Sequence, residues 1–331
     1  MITFRRFGIE PGCIVPEKDQ YRLVVSPLCP WCRRVAITRR LTGLEGAIAL
    51  SESTGVDQDG FVFTADSLSF DPTLRVRSVR ELYRRQPEWK IGEPTAVPLI
   101  VDKAHRIVAA ESGHLMMDFI TQWSSLHTRS TNLYPQGERE RLDAIDRRID
   151  TLIAATVSAA YSANPSCDSD RQAALCDGLD WADAQLSLHS YIAGKELRES
   201  DIRLFANLTS LVAHNPDMTG VEQARPSFDA LSVTGGDKQE PACCASSQVL
   251  QTAGENLAKD SCQMRTASAT MSTTRTEGGQ VNVESLEKAG LTPFDNNDCE
   301  CLMPWPNLRK WWIDLAKDPL WLSETEICAL G

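Results

Sequence analysis

The stretch Tyr21-Arg22-Leu23-Val24-Val25-Ser26-Pro27-Leu28-Cys29-Pro30-Trp31-Cys32-Arg33-Arg34 decides how this chain folds. Tyr21 to Ser26 reads as a strand, and the run from Val35 to Leu44 reads as a helix. Cys29 falls between them, where the unpaired amides of a new helix converge and the positive end of its dipole favours a thiolate over a thiol. Pro30 suits the first helical position, where its missing N–H costs nothing. Arg33 and Arg34 add positive charge within about one turn. The arrangement predicts a reactive, solvent-accessible thiol aimed out of a sheet edge. Cys32 lies one turn further in, either to resolve a mixed disulfide formed at Cys29 or as a spectator.

Working outward, a second strand is expected around Ala47 to Leu50, then a polar loop through Asp57-Gln58-Asp59-Gly60. Val76 to Gln86 reads as a charged helix with Val79, Leu82 and Tyr83 on its apolar side. Val97 to Asp102 and Ile107 to Ala110 read as a strand pair, followed by a helix from Glu111 to about Trp123. Strand, helix, strand, helix, hairpin, helix is the order of a thioredoxin-like domain. In that context Val97-Pro98, at the start of a strand, predicts a cis bond that faces the Val97 backbone towards Cys29. Glu111-Ser112, at a strand–helix junction, predicts a seat for a carboxylate ligand; Ser112 as a plain helix cap is the alternative.

From Tyr134 to His214 the pattern is helical. Ile145, Ile149, Leu152 and Ile153 repeat at helical spacing, then Leu175, Leu179, Ala182 and Leu186, then Ile202, Phe205, Leu208 and Leu211. Pro216 to Pro304 holds no Trp or Tyr and is rich in Ser, Thr, Gly, Gln and Ala, the composition of an insertion with little to bury. A closing helix begins near Trp305. The expected division is an N-terminal extension (1–20), a thioredoxin-like domain (21–125) and an all-helical domain (126–331) interrupted at about 216–304.

The 331 residues carry a net charge of −11, which leaves no basic field for a general nucleic-acid binder. No apolar run approaches the length of a membrane span. The start, Met1-Ile2-Thr3-Phe4-Arg5-Arg6, lacks the apolar core of a secretory signal. Eleven cysteines, an odd number without scaffold spacing, point to a reducing compartment and a cytoplasmic protein. Cys299-Glu300-Cys301 and Cys243-Cys244 lack zinc-site spacing, so no metal is expected.

These residues resemble the glutathione transferase superfamily and, within it, the xi class, the glutathionyl-hydroquinone reductases. The resemblance rests on Cys29-Pro30-Trp31, Leu41-Thr42-Gly43-Leu44-Glu45, Arg80-Glu81-Leu82-Tyr83 and Val97-Pro98. Further along it rests on Glu111-Ser112, Asn132-Leu133-Tyr134-Pro135, Ser200-Asp201-Ile202-Arg203-Leu204-Phe205 and Pro306-Asn307-Leu308. It implies a thioredoxin-like domain followed by an all-helical glutathione-transferase-type domain. It also implies glutathione as co-substrate, a small aromatic or disulfide acceptor, and pairing into a homodimer.

By the same resemblance Cys29 is the nucleophile, and Trp31, Val97, Pro98, Glu111 and Ser112 bind glutathione. Phe61 stands where the family stacks a tryptophan, and Tyr161 lines the acceptor pocket or is an ordinary bundle tyrosine. The chain departs from the family at Cys32-Arg33-Arg34, where Ala-His-Arg is usual, and at Ser210-Leu211-Val212-Ala213-His214, where the family is aromatic and acidic. The Cys29/Cys32 dithiol opens a glutaredoxin-like alternative, and a non-catalytic interaction protein on the same fold is a third reading.

Overall fold

The computed structural model describes residues 4–57, 60–63, 70–160, 169–213 and 305–330. Its first half is built on a four-stranded sheet. Strands β1 (Tyr21–Val25), β2 (Ile48–Glu52), β5 (Leu99–Asp102) and β6 (Ile107–Ala110) lie in the order β2-β1-β5-β6. β1 runs parallel to β2 and antiparallel to β5, and β5 pairs antiparallel with β6. Leu23 and Val24 are adjacent in sequence, so they point to opposite faces, yet both are fully buried. β1 is therefore covered on both sides, which explains its unbroken apolar run.

Helix α1 (Pro30–Leu41) makes the crossover from β1 to β2, and α3 (Ser112–Thr121) packs beside it. α1 ends at the Leu-x-Gly-Leu motif. Gly43 has φ of 71°, and a Cβ there would fall 2.1 Å from Thr128 Oγ1 and 3.0 Å from the Arg129 backbone nitrogen. Only a residue without a side chain makes that turn under the loop that follows α3.

Two local expectations are corrected. The polar loop around residue 57 is a hairpin, β3 (Gly55–Asp57) paired antiparallel with β4 (Gly60–Val62), whose strands are too short to show an alternating pattern. The charged helix is shorter than Val76–Gln86: α2 spans Val79–Arg84. Ser78 caps it by accepting a hydrogen bond from the Glu81 amide (3.3 Å), while Arg85 turns back to donate to Leu74 O (2.7 Å).

Residues ahead of β1 are folded onto this unit. Phe7 meets the rings of Tyr21 and Trp123 edge-on at 5.2 and 5.1 Å. Arg6 donates from Nε to Asp118 on α3 (2.9 Å), whose other oxygen accepts the Phe7 amide (3.0 Å).

The second half is helical. α4 (Arg139–Ile149) continues through a π-turn (Asp150–Ala154) into α5 (Ala155–Ala160), followed by α6 (Ser169–Leu188) and α7 (Glu199–Ala213). Near the C-terminus come α8 (Pro306–Ala316) and α9 (Glu324–Leu330). α7 packs on both α4 and α1, so it joins the helical half to the helix that carries Cys29. The second core gathers Ile149, Ile153, Ile202, Phe205, Leu208 and Trp312. Asp183 on α6 caps α8 by accepting from the amides of Asn307 (2.7 Å) and Leu308 (2.8 Å), which accounts for the Pro306-Asn307-Leu308 signature. α9 was not anticipated. Its short sequence has little pattern of its own, and it is held from outside by Arg40, which donates to Leu320 O (2.9 Å) and Glu326 Oε2 (2.8 Å). The 216–304 insertion lies outside the described residues.

The π-turn has a specific partner. A Cβ on Gly178 of α6 would sit 2.8 Å from Leu152 Cβ and 2.9 Å from Ile153 Cγ1. Helix propensity favours alanine over glycine by about 1 kcal/mol, but this contact outweighs it. Gly178→Ala is expected to lower stability by about 1–3 kcal/mol in urea denaturation, the cost typical of overpacking. A stabilised variant would show that the π-turn relaxes without cost.

Candidate functional site

Cys29 is the N-cap residue of α1, with extended backbone angles (φ −101°, ψ 119°). Its amide donates to Ser26 O at 3.0 Å, closing the turn out of β1. Its carbonyl accepts from the amides of Cys32 (3.1 Å) and Arg33 (3.2 Å), so the sulfur rides on the first turn of the helix. The Val97–Pro98 bond is cis, and Cys29 Sγ donates to Val97 O at 3.7 Å. Tyr83, from the Arg-Glu-Leu-Tyr helix, fixes the approach to Val97. Its hydroxyl donates to Ala96 O (3.1 Å) and accepts from the Ala96 amide (3.3 Å).

Accessibility differs from the sequence expectation. Cys29 is 1% exposed, packed into the first core with Trp31, Cys32 and Val97. The strand end, the helix mouth and the residue before Pro98 converge on the sulfur from three sides, and sequence spacing does not reveal such closure. Cys32, one turn along, is buried equally deeply.

Trp31, Glu111 and Ser112 are drawn together by a residue the sequence reading used only as a nearby charge. The Arg34 guanidinium lies 5.4 Å over the Trp31 ring, and its Nε donates to Ser112 Oγ at 3.1 Å. Glu111 is the N-cap of α3 in a left-handed conformation (φ 76°), and its carboxylate accepts from the Gly113 amide at 3.3 Å. The cap is therefore Glu111 and not Ser112, whose hydroxyl instead accepts from the Arg34 guanidinium, a group well suited to a carboxylate. The signal for Arg34 was its spacing, three residues after Trp31 on one helical face. Phe61 is half-buried on β4, packed against the same core. Tyr161 lies outside the described residues.

The largest electrostatic perturbations sit elsewhere, at the start of α7. Asp201 is fully buried, and burial pushes its carboxyl up to about 7. Burial and the neighbouring Asp146 carboxyl hold Glu199 well above the usual carboxylate range, against the pull of Arg203. Asp201 accepts from the amides of Ile192 and Arg198, both at 2.9 Å, which is the work of a helix cap. Among the described residues no cluster of three or more His, Cys, Asp or Glu side chains is arranged to hold a metal ion, and no helix is long and apolar enough to cross a membrane.

No family model matches the chain. The solved structure of a xi-class glutathione transferase from Natrialba magadii is 31% identical, with 65% of this chain and 68% of that one covered and a TM-score of 0.56. This chain belongs to the xi class of the glutathione transferase superfamily. Glutathionyl-hydroquinone reductase YqjG of Escherichia coli (strain K12) is 30% identical over 210 residues, 62% of this chain and 63% of that protein. The glutathione-bound structure of YqjG is 27% identical, covers 64% of this chain and 72% of its own, and has a TM-score of 0.56. The match spans less than two thirds of the curated YqjG sequence. The xi-class assignment accounts for the sheet order and the helical second half.

Proposed function

We propose that this xi-class chain is a glutathione-dependent thiol enzyme with Cys29 as its nucleophile. The observation that carries the reading is the position of Cys29 at the N-cap of α1 with its sulfur against the carbonyl of Val97. Ionising the thiol ends that hydrogen bond, since a thiolate has no proton to donate. In the proposed complex the Val97 peptide takes the cysteinyl part of an incoming glutathione, as in β-strand addition. Trp31, Phe61, Pro98, Glu111 and Ser112 complete the proposed glutathione seat, with Arg34 placed to meet a carboxylate.

In the proposed reaction the Cys29 thiolate attacks the sulfur of a glutathionylated quinol. A Cys29–glutathione disulfide forms and the sulfur–aryl bond breaks. The released electron pair stays on the ring carbon, which takes up a proton to give the quinol. The thiolate of a second glutathione attacks the glutathione sulfur of the mixed disulfide, forming glutathione disulfide and restoring the Cys29 thiolate. Support comes from the name of the YqjG relative and from the thiol geometry here. A cytoplasmic setting and pairing into a homodimer belong to the same reading.

Cys32, one turn from Cys29, favours a second reading in which the pair reduces mixed disulfides through an internal disulfide. Mass spectrometry of the full chain after incubation with glutathione disulfide tests the first. A glutathione adduct on Cys29 is expected, persisting and becoming the end state in Cys32→Ser. Rapid conversion to a Cys29–Cys32 disulfide in the parent chain, abolished in Cys32→Ser, selects the dithiol route. No adduct at Cys29 in either protein rules out both and leaves the interaction-protein reading.

A further inference from the structure

The second arginine role in α1 concerns Arg33. Arg33 is 3% exposed. Its Nη2 donates to Pro27 O at 3.1 Å and its Nη1 to Ser210 Oγ on α7 at 3.4 Å, while Nε is buried without a hydrogen-bond partner. Both partners are neutral oxygens, and among the described residues no carboxylate pairs with it. Other arginines of low exposure have a carboxylate acting on them: Arg40 holds Glu326, Arg198 holds Glu138 and Glu196, Arg203 holds Glu199 and Asp146, and Arg39, hydrogen-bonded only to the carbonyls of Ile48 and Glu45, feels the Glu45 carboxylate. A buried cation without a counter-ion is costly, so this one calls for an anion.

The place for that anion follows from helix geometry. Arg33 is four residues after Cys29, and helical side chains lean towards the N-terminus, over the preceding turn. The bond to Pro27 O shows this directly, because Pro27 lies inside the turn that Cys29 closes onto Ser26.

We propose that Arg33 is a positioning residue for the thiol chemistry, its buried guanidinium supplying the fixed positive charge against which Cys29 ionises. The proposal rests on the nucleophilic role of Cys29. Arg34 sets its guanidinium over Trp31 and against Ser112 Oγ, on the side of α1 that faces α3. The other titratable groups on elements around Cys29 are Cys32, Arg34, Arg39 and Arg40 on α1, Arg80, Glu81, Tyr83 and Arg84 on α2, Glu111, His114 and Asp118 at and along α3, and Glu199, Asp201 and Arg203 at the start of α7. Residues 23–28, 94–101 and 204–212 contain none. Arg33 itself bonds inside the turn that Cys29 closes onto Ser26, in a water-poor setting where Coulomb attraction is strongest.

The test is the pH dependence of iodoacetamide alkylation in the full-length protein, read at Cys29 by tandem mass spectrometry. Arg33→Met is expected to raise the alkylation midpoint by about one pH unit or more, and Arg33→Lys to return it most of the way. Arg33→Gln keeps a donor for Pro27 O without the charge and is expected to behave like Arg33→Met, which covers the case in which methionine unfolds the chain. Superimposable profiles for the parent and the neutral variants would overturn the role of Arg33 while leaving Cys29 as the nucleophile. A parent midpoint at or above about 8.5, the ordinary thiol value, would overturn both.

Discussion

Cys29→Ser is expected to abolish turnover of a glutathionylated quinol, with a loss on the order of 10⁴-fold or greater in kcat/KM. The fold should be unaffected. Serine is close to cysteine in size, and its hydroxyl can donate to Val97 O as the thiol does at 3.7 Å. Stability within about 1 kcal/mol of the parent chain is therefore expected, so the loss would be read as chemistry. A hydroxyl at the helix mouth stays protonated at neutral pH and cannot displace an aryl group from sulfur. Steady-state assays with glutathione and a glutathionylated quinol check this, alongside urea denaturation. Residual turnover within tenfold of the parent would move the nucleophile elsewhere, to Cys32 first.

Asp201→Ala is expected to be the most destabilising of the single substitutions considered, at about 3 kcal/mol. The carboxyl accepts two backbone N–H groups on separate oxygens, from Ile192 and Arg198, in a site with no solvent. Alanine leaves both donors buried and unmet. Asn is expected to recover only about half of this, since its one carbonyl oxygen serves one amide while its NH₂ confronts the other. The pH dependence has a definite sign. Burial raises the folded-state pKa to about 7 from 3.8, so between these values the folded chain binds more protons than the unfolded one. Asp201 therefore contributes most to stability below about pH 4, and that contribution is lost as pH rises towards 7, with a slope of at most about 1.4 kcal/mol per unit. Glu199 is shifted in the same direction by burial. Urea denaturation from pH 4 to 7 should show a steeper loss in the parent than in Asp201→Asn. Equal slopes would show that the carboxyl is ionised throughout.

The sheet and the helical repeats were legible because their patterns are long and governed by burial. The doubly apolar β1 and the spacing of Ile202, Phe205 and Leu208 can mean little else. The cis bond before Pro98 was legible only from its position relative to Cys29. Short elements escaped: β3 and β4 have three residues each, and α9 is fixed by Arg40 rather than by its own periodicity. At the candidate site, residue identities were readable and closure was not. Nothing in Cys29-Pro30-Trp31 says that Val97 closes over the sulfur, because that contact brings together residues 68 positions apart. Tyr83, Arg33 and Arg34 acquired specific partners only in three dimensions.

The arginines of α1 reach four different parts of the molecule: Arg33 to α7, Arg34 to the head of α3, Arg39 to Ile48 O on β2 (2.8 Å), and Arg40 to the residues around α9. A rod anchored from so many directions cannot swing or slide by itself. In the proposed reaction the sulfur of Cys29 is therefore carried on a support tied down at four places, so loosening any one of these distant anchors is expected to blur its aim without touching the thiol itself.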